Sequence, residues 1–168
     1  DVSILKIDGN EFETVRVDGD RKLGGDDFDR VLIELCLKEL RKEYGVNLSS
    51  LEKSGLDKIV YQQVLRKLQF ECEKAKVDLS AIEETDIIIP SLISKEDRTI
   101  HFQFHITREE FEEKCEELLD RIEEIIKRCL EESRYSAQDM DKVILVGGSS
   151  NILSVKNLVQ EIFHTNPY

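Results

Sequence analysis

KVILVGGSSN, residues 142–151, is the stretch on which the reading of this chain turns. Val143, Ile144, Leu145 and Val146 form an apolar run with no polar break, the pattern of a strand buried on both faces of a sheet flanked by helices. Gly147 and Gly148 follow at once, and paired glycines let the backbone turn sharply and approach a ligand closely. Ser149, Ser150 and Asn151 are good N-cap residues. Behind them Val155, Leu158, Val159, Ile162 and Phe163 carry the period of an amphipathic helix. A strand, a glycine turn and a helix start together present backbone N–H groups to an anionic or nucleotide ligand. A plain strand-to-helix connection uses the same residues, and the ten alone do not separate the two.

The rest of the composition narrows the class. A chain of 168 residues suffices for one large domain or two small ones sharing a core. With 36% charged and 40% apolar residues it reads as globular with long exposed helices, and its net charge of −12 argues against nucleic acid or an anionic membrane as main partner. No apolar run approaches membrane-spanning length, and no signal peptide pattern opens the sequence. Cys36, Cys72, Cys115 and Cys129 show no CxxC spacing and fall on or beside predicted apolar stripes. They read as small core residues in a reducing compartment, expected to be the cytoplasm or an organelle with an equivalent interior. Asp1 stands directly inside a strand pattern with no Met before it, and FHTNPY closes just behind a helix, so an excised piece of a larger protein is expected.

Taken in order, residues 2–7 and 11–17 are strand-like runs joined by Asp8-Gly9, a hairpin signal. Leu23-Gly24-Gly25-Asp26-Asp27 then makes a turn and a helix start. Phe28, Val31, Leu32, Leu35 and Leu40 form one face of the helix, which Gly45 ends. Residues 46–55 are polar and expected to be irregular. From about Asp57 a second helix carries Val60, Val64, Leu68, Cys72, Ala75 and Leu79 on one stripe. Glu73, Lys76 and Ser80 stand at i, i+3 and i+7 on a different line of that helix, with Val77 beside them. A carboxylate, an ammonium and a hydroxyl aimed one way, next to an aliphatic patch, suit a nucleoside: polar groups for the ribose, apolar surface for the base. Spacing alone favours the simpler alternative, a solvated face with a Glu–Lys pair.

Residues 86–94 and 99–106 read as an antiparallel pair turning across residues 95–98, with Ile100, Phe102, Phe104 and Ile106 alternating with Thr99, His101, Gln103 and His105. The two histidines share the polar face about 13 Å apart. No Cys or carboxylate cluster is near them in sequence, which argues against metal ligation. Thr107-Arg108-Glu109-Glu110 is a capping box. One helix is expected behind it, with Phe111, Cys115, Leu118, Ile122, Ile125 and Cys129 on a heptad-like stripe packed on a sheet rather than in a coiled coil. Ser136-Ala137-Gln138-Asp139 marks a turn and helix start before the central strand. The outer elements suit an α/β layered domain, and the block from about residue 45 to 107 an inserted α+β unit.

DVSIL at the start, LGGDDFD at residues 23–29, ECEKAKVDLS at 71–80, ITREEF at 106–111 and VILVGGSS at 143–150 together resemble the seventy-kilodalton heat-shock chaperones of the DnaK type. Each motif is weak alone, but the five fall in the family's order and spacing across essentially the whole chain. The resemblance implies an α/β fold: an actin-like ATPase (ribonuclease H-like) half-domain with an inserted α+β subdomain. Residues 1–24 and 108–168 would be its lower subdomain and residues 25–107 its upper one. It implies lobe II of the nucleotide-binding domain of an ATP-dependent chaperone, with ATP or ADP as ligand and Mg2+ and K+ as cofactors of the parent protein. Implied partners are the first lobe of the same domain, a nucleotide-exchange factor on the upper subdomain, and a J-domain co-chaperone and peptide clients of the parent, with no nucleic acid or membrane.

Residue by residue, Glu73, Lys76 and Ser80 match the family's adenosine contacts from the upper subdomain, and Gly148 and Ser149 those from the lower, with Gly147 opening the turn. Asp1 matches the aspartate that closes the phosphate-loop motif and helps hold potassium. Two positions depart from the pattern. Many members carry an arginine, stacked on the adenine, where Val77 stands, although aliphatic residues also occur there. The usual Thr-Arg-Ile-Pro is here Ser150-Asn151-Ile152-Leu153, so Asn151 lacks the planar cation that covers the other face of the base. The phosphate-binding loop, the lysine that supports hydrolysis and most magnesium-positioning carboxylates belong to the first lobe. Hydrolysis needs phosphate, metal and water positioned together, so none is expected from this chain alone. The alternative is a non-catalytic regulatory or scaffolding relative with degenerate nucleotide binding. A sugar or glycerol kinase lobe shares the fold but not ECEKAKVDLS with LGGDDFD.

Overall fold

A computed structural model describes residues 1–95 and 98–168. Its contacts divide the chain into two compact units, one made of Asp1–Asp27 with Cys115–Tyr168 and the other of Phe28–Lys114.

In the first unit, β1 (Val2–Asp8) and β2 (Glu11–Asp18) form an antiparallel hairpin. Asp8 pairs with Glu11, so the two-residue turn is Gly9-Asn10 rather than Asp8-Gly9, and Gly9 has the positive φ (61°) that a first central turn residue of type II′ needs. The register slips between Ile4 and Leu5, which leaves Val15 as an extra residue on β2 and bends the ribbon. The helix α5 (Glu116–Ser133) packs on this hairpin, with Ile125, Ile126 and Cys129 buried, so its stripe does meet a sheet. Arg128 clamps Asp18 through two hydrogen bonds, Nε to Oδ2 at 2.6 Å and a terminal nitrogen to Oδ1 at 2.9 Å. Arg121 pairs with Asp20 and Arg16 with Glu132. A 3-10 turn at Ala137–Asp139 opens on a Ser136/Asp139 capping box. The unit closes with α6 (Leu153–Phe163), which buries Val155 and Val159.

The second unit opens in α1 (Gly25–Glu43), whose first turn lies across the division between the units. Its buried stripe is Phe28, Asp29, Leu32, Cys36 and Leu40. Gly45 (φ 68°) ends it as expected: in its left-handed conformation the chain turns so that the Val46 N–H reaches back to the Leu40 carbonyl at 3.0 Å, satisfying a carbonyl of the last turns. Residues 46–55 are not wholly irregular. A short helix α2 (Leu51–Ser54) forms there, capped by Ser50 and closed by left-handed Gly55, two signals present in the sequence. Next comes α3 (Lys58–Leu79), whose N-cap Asp57 accepts from the Ile59 and Val60 N–H groups at 3.0 Å. Val64, Leu68, Cys72, Ala75 and Leu79 line its buried face, and the Cys72 Sγ lies 3.7 Å from the Cys36 Sγ. That contact first, and then burial, push the Cys36 thiol well above its ordinary pKa. All four cysteines are buried and reduced.

β3 (Glu84–Lys95) and β4 (Arg98–Thr107) form the unit's antiparallel sheet, and α3 packs against β3. The turn expected across residues 95–98 falls partly on Glu96 and Asp97, which lie outside the described residues. Ile100, Phe102 and Ile106 face the core. Pro90, Ser91 and Leu92 together oppose the single residue His101, a bulge in which Ser91 is left-handed (φ 49°) and donates its N–H to His101 Nδ1 at 3.3 Å. His105 instead faces Asp86 across the strands, Nδ1 to Oδ1 at 3.2 Å. The Thr107/Glu110 capping box forms with both bonds present, opening α4 (Arg108–Lys114).

Two further expectations about the fold need correction. The helix behind the capping box is not continuous: it breaks at buried Cys115 (φ −93°, ψ 0°), where α4 ends and α5 begins. Nothing in the sequence explains that break. The run at residues 143–146 forms no buried strand: Ile144 is 67% and Val146 85% exposed. Among the described residues its backbone pairs with Tyr168, which donates to the Val143 carbonyl at 2.9 Å and accepts from the Leu145 N–H at 2.8 Å, bracketing Ile144 as in a parallel bridge. Among the described residues, no helix is long and apolar enough to cross a membrane.

Candidate functional site

The residues expected to make a nucleoside face on the second helix lie at the C-terminal end of α3. The helix puts Cys72, Ala75 and Leu79 into the core, so the intervening Glu73, Lys76, Val77 and Ser80 are left on other lines of the same turns. Glu73 is exposed and Val77 is 62% exposed, an aliphatic surface with no role in the core. Ser80 is the C-cap, and its hydroxyl donates to the Lys76 carbonyl at 3.1 Å. Arg108 Nε donates to the Leu79 carbonyl at 2.7 Å, and the Arg108 N–H to the Glu83 carbonyl at 2.7 Å. A cation on the last carbonyls complements the helix dipole and fixes the end of α3.

Lys76 does not extend into solvent. Its side chain is only 12% exposed, and Nζ lies 2.8 Å from Oδ1 of Asp29, whose side chain is 8% exposed. Reading the sequence missed Asp29 as a partner here. The signal was available: Asp29, Leu32, Cys36 and Leu40 step by three, four and four, so a carboxylate stands on the apolar stripe of α1. Asp29 is also the one polar or charged residue that is buried among those described. An ammonium offers donors only, so this face suits acceptor groups such as sugar hydroxyls, beside the apolar patch of Val77.

The other predicted contacts lie in the first unit. Gly147 has φ 100° and ψ 160°, a conformation almost confined to glycine. Gly148–Asn151 form a 3-10 turn in which the Ser150 hydroxyl donates to the Gly147 carbonyl at 2.6 Å. Contrary to expectation, neither the serines nor Asn151 cap the following helix. The N-cap of α6 is Ile152, whose side chain cannot accept. A Cβ added at Gly147 or Gly148 would meet nothing within 4 Å, so the space over both is open for close approach. Gly148 and Asn151 are exposed, and Ser149 is half-buried.

Asp1 is exposed at the head of β1, its carboxylate against Gly19: a Cβ there would run into Oδ1. The described residues bring together no group of three His, Cys, Asp or Glu side chains able to hold a metal ion. Asp1 belongs to no such group.

Comparison with known proteins fits this arrangement of small antiparallel sheets and helices. The family described as Hsp70 protein matches residues 1–168. Chaperone protein dnaK3 of Synechococcus elongatus is 37% identical over 167 residues, 99% of this chain and 21% of that protein. Chaperone protein dnaK of Guillardia theta is 35% identical over the same share of the chain and 25% of its own length, and the chloroplastic heat shock 70 kDa protein 6 of Arabidopsis thaliana is 36% identical over 99% and 22%. The chain belongs to the Hsp70 family, whose ATPase has the actin-like fold. It spans about a fifth to a quarter of the length of these relatives.

Proposed function

We propose that this chain is lobe II of the nucleotide-binding domain of an ATP-dependent chaperone and supplies adenosine-side contacts to ATP or ADP. The observation that carries the reading is the end of α3, where Glu73, Lys76, Val77 and Ser80 sit together in a chain of the Hsp70 family. The unit of Phe28–Lys114 would be the upper subdomain, contributing that face and the surface on which a nucleotide-exchange factor acts. The unit of Asp1–Asp27 with Cys115–Tyr168 would be the lower one, contributing Gly147, Gly148, Ser149 and Asn151, with Asp1 as one ligand for potassium. Magnesium, the first lobe, J-domain co-chaperones and peptide clients belong to the proposed parent protein. There the nucleotide would favour one rotation of the lobes over another and so gate peptide binding. Hydrolysis is not assigned to this chain alone.

Calorimetric titration with adenosine, ADP and ATP tests the reading. Weak binding common to all three ligands, lost on Glu73→Ala and Ser80→Ala, is the expected result. Val77→Arg, which restores the residue many relatives carry, should tighten it. Binding indifferent to all three substitutions would remove α3 from the site. A second reading, a regulatory or scaffolding relative with degenerate nucleotide binding, is favoured by two observations: Val77 presents an aliphatic surface, and Asn151 stands exposed without a cation. It predicts that Val77→Arg restores nothing.

A further inference from the structure

Lysine carries its ammonium on a flexible four-carbon stem, and at an exposed helix end that ammonium samples many positions. Lys76 does not have that freedom. Its side chain is 12% exposed, and its Nζ meets a carboxylate that is itself buried, at 2.8 Å. Placing an ammonium in such a position without a counter-charge is unfavourable, so the location of Asp29 decides where the charge of Lys76 rests. Asp29 in turn has no freedom of its own, because it stands between Phe28 and Leu32 on the buried face of α1. The backbone from which Lys76 springs is also held, by the Ser80 hydroxyl on its carbonyl and by Arg108 on the carbonyl of Leu79. The charge is therefore placed from both ends while its neighbours Glu73 and Val77 remain exposed.

We infer that Asp29 is a positioning residue for nucleotide binding, holding the Lys76 ammonium in a fixed place at the end of α3 to receive the acceptor hydroxyls of a nucleoside sugar. This rests on the assignment of that face to a nucleotide. A donor held in its bound geometry before the ligand arrives loses less freedom on binding, so the effect belongs to affinity and to recognition of the sugar hydroxyls.

The test uses the 168-residue chain with adenosine and 2′,3′-dideoxyadenosine as probes, titrated by NMR. The variants are Asp29→Asn, Lys76→Met and the two combined, each checked by thermal melting. Asp29→Asn and Lys76→Met should each weaken adenosine binding roughly tenfold and remove the preference for adenosine over the dideoxy form. The double variant should be no weaker than either single one, because the two residues act as a unit. It also removes both charges at once and so separates loss of binding from loss of folding. In 15N-labelled protein the Lys76 ammonium signal, identified by its absence in Lys76→Met, should be protected from exchange in the wild type and lose that protection in Asp29→Asn. If Lys76→Met weakens binding while Asp29→Asn leaves it unchanged or tightens it, the positioning role is overturned and the nucleotide face stands. If Lys76→Met changes nothing, or the wild type binds neither probe at millimolar concentration, the nucleotide assignment for this chain fails and takes the role of Asp29 with it.

Discussion

The end of α3 and the glycine turn after residue 146 are both nucleotide contacts by resemblance, yet they are built in opposite ways. The helix face stands on a buried stripe, with an ion pair beneath it and a guanidinium on its last carbonyls. The turn follows an apolar run whose residues Ile144 and Val146 face solvent and whose backbone has Tyr168 as a neighbour. The difference lies in where each backbone finds its partners. A helix closes its hydrogen bonds on itself four residues away, whereas a strand takes them from a neighbour. One contact surface therefore stands on a backbone that is complete within its own element, and the other on a backbone that depends on what lies alongside it.

The strongest way to break this comparison is to remove the cation from the helix face. Lys76→Met leaves Asp29 buried with a charge and should destabilise its unit by about 3–5 kcal/mol in urea unfolding. A loss below about 1 kcal/mol, the range of exposed pairs, would mean the ion pair is no anchor. Next in size is Gly147→Ala. Open space surrounds the position, so packing predicts no effect, but the φ of 100° predicts a cost of about 1–3 kcal/mol. Val146→Ser is the matched control: at 85% exposure it should change stability by less than about 0.5 kcal/mol. A larger change would show that the run has a covering partner after all.

The smallest effect is the pH response of the hairpin. The hydrogen bonds from Arg128 hold the Asp18 carboxyl below its ordinary value, and those from Arg121 do the same for Asp20. A depressed folded value means these contributions are fully present above the unfolded pKa, about 4, and disappear as the pH falls through the folded values. Carboxyl titration by NMR should show Asp18 moving up towards its ordinary value in Arg128→Met, with the Gly19 N–H and Arg16 still holding it down.

What could be read from the sequence follows the same division. Elements specified by signals within a few residues were legible: Asp57 and the stripe of α3, the Thr107/Glu110 box, and Gly45 as the stop of α1. The short α2 was missed although Ser50 and Gly55 announce it, because its surroundings are polar and carry no periodic stripe. Features set by strand register left no local mark, including the extra residue Val15 and the left-handed Ser91 in its bulge. The apolar run at residues 143–146 has the composition of a buried strand, but composition does not state which neighbours are present. The candidate site divided likewise. Glu73, Lys76 and Ser80 came from helical spacing, while Asp29 reaches Lys76 from a helix 47 residues earlier and had to be seen in three dimensions.

The thiol contact between Cys36 and Cys72 bears on that same pair of helices. Moving along α1 from Asp29 to Cys36 corresponds to moving backward along α3 from Lys76 to Cys72. Two points of contact define both the direction and the offset of one rod against another. Sliding either helix by a single residue is a displacement of about 1.5 Å, which strains the ammonium–carboxylate contact and the sulfur–sulfur contact at the same time. The pair of contacts thus works as a vernier: the place where α3 presents its charge is calibrated by how the two helices are meshed, and any change that altered the meshing would be read out at the proposed nucleotide face.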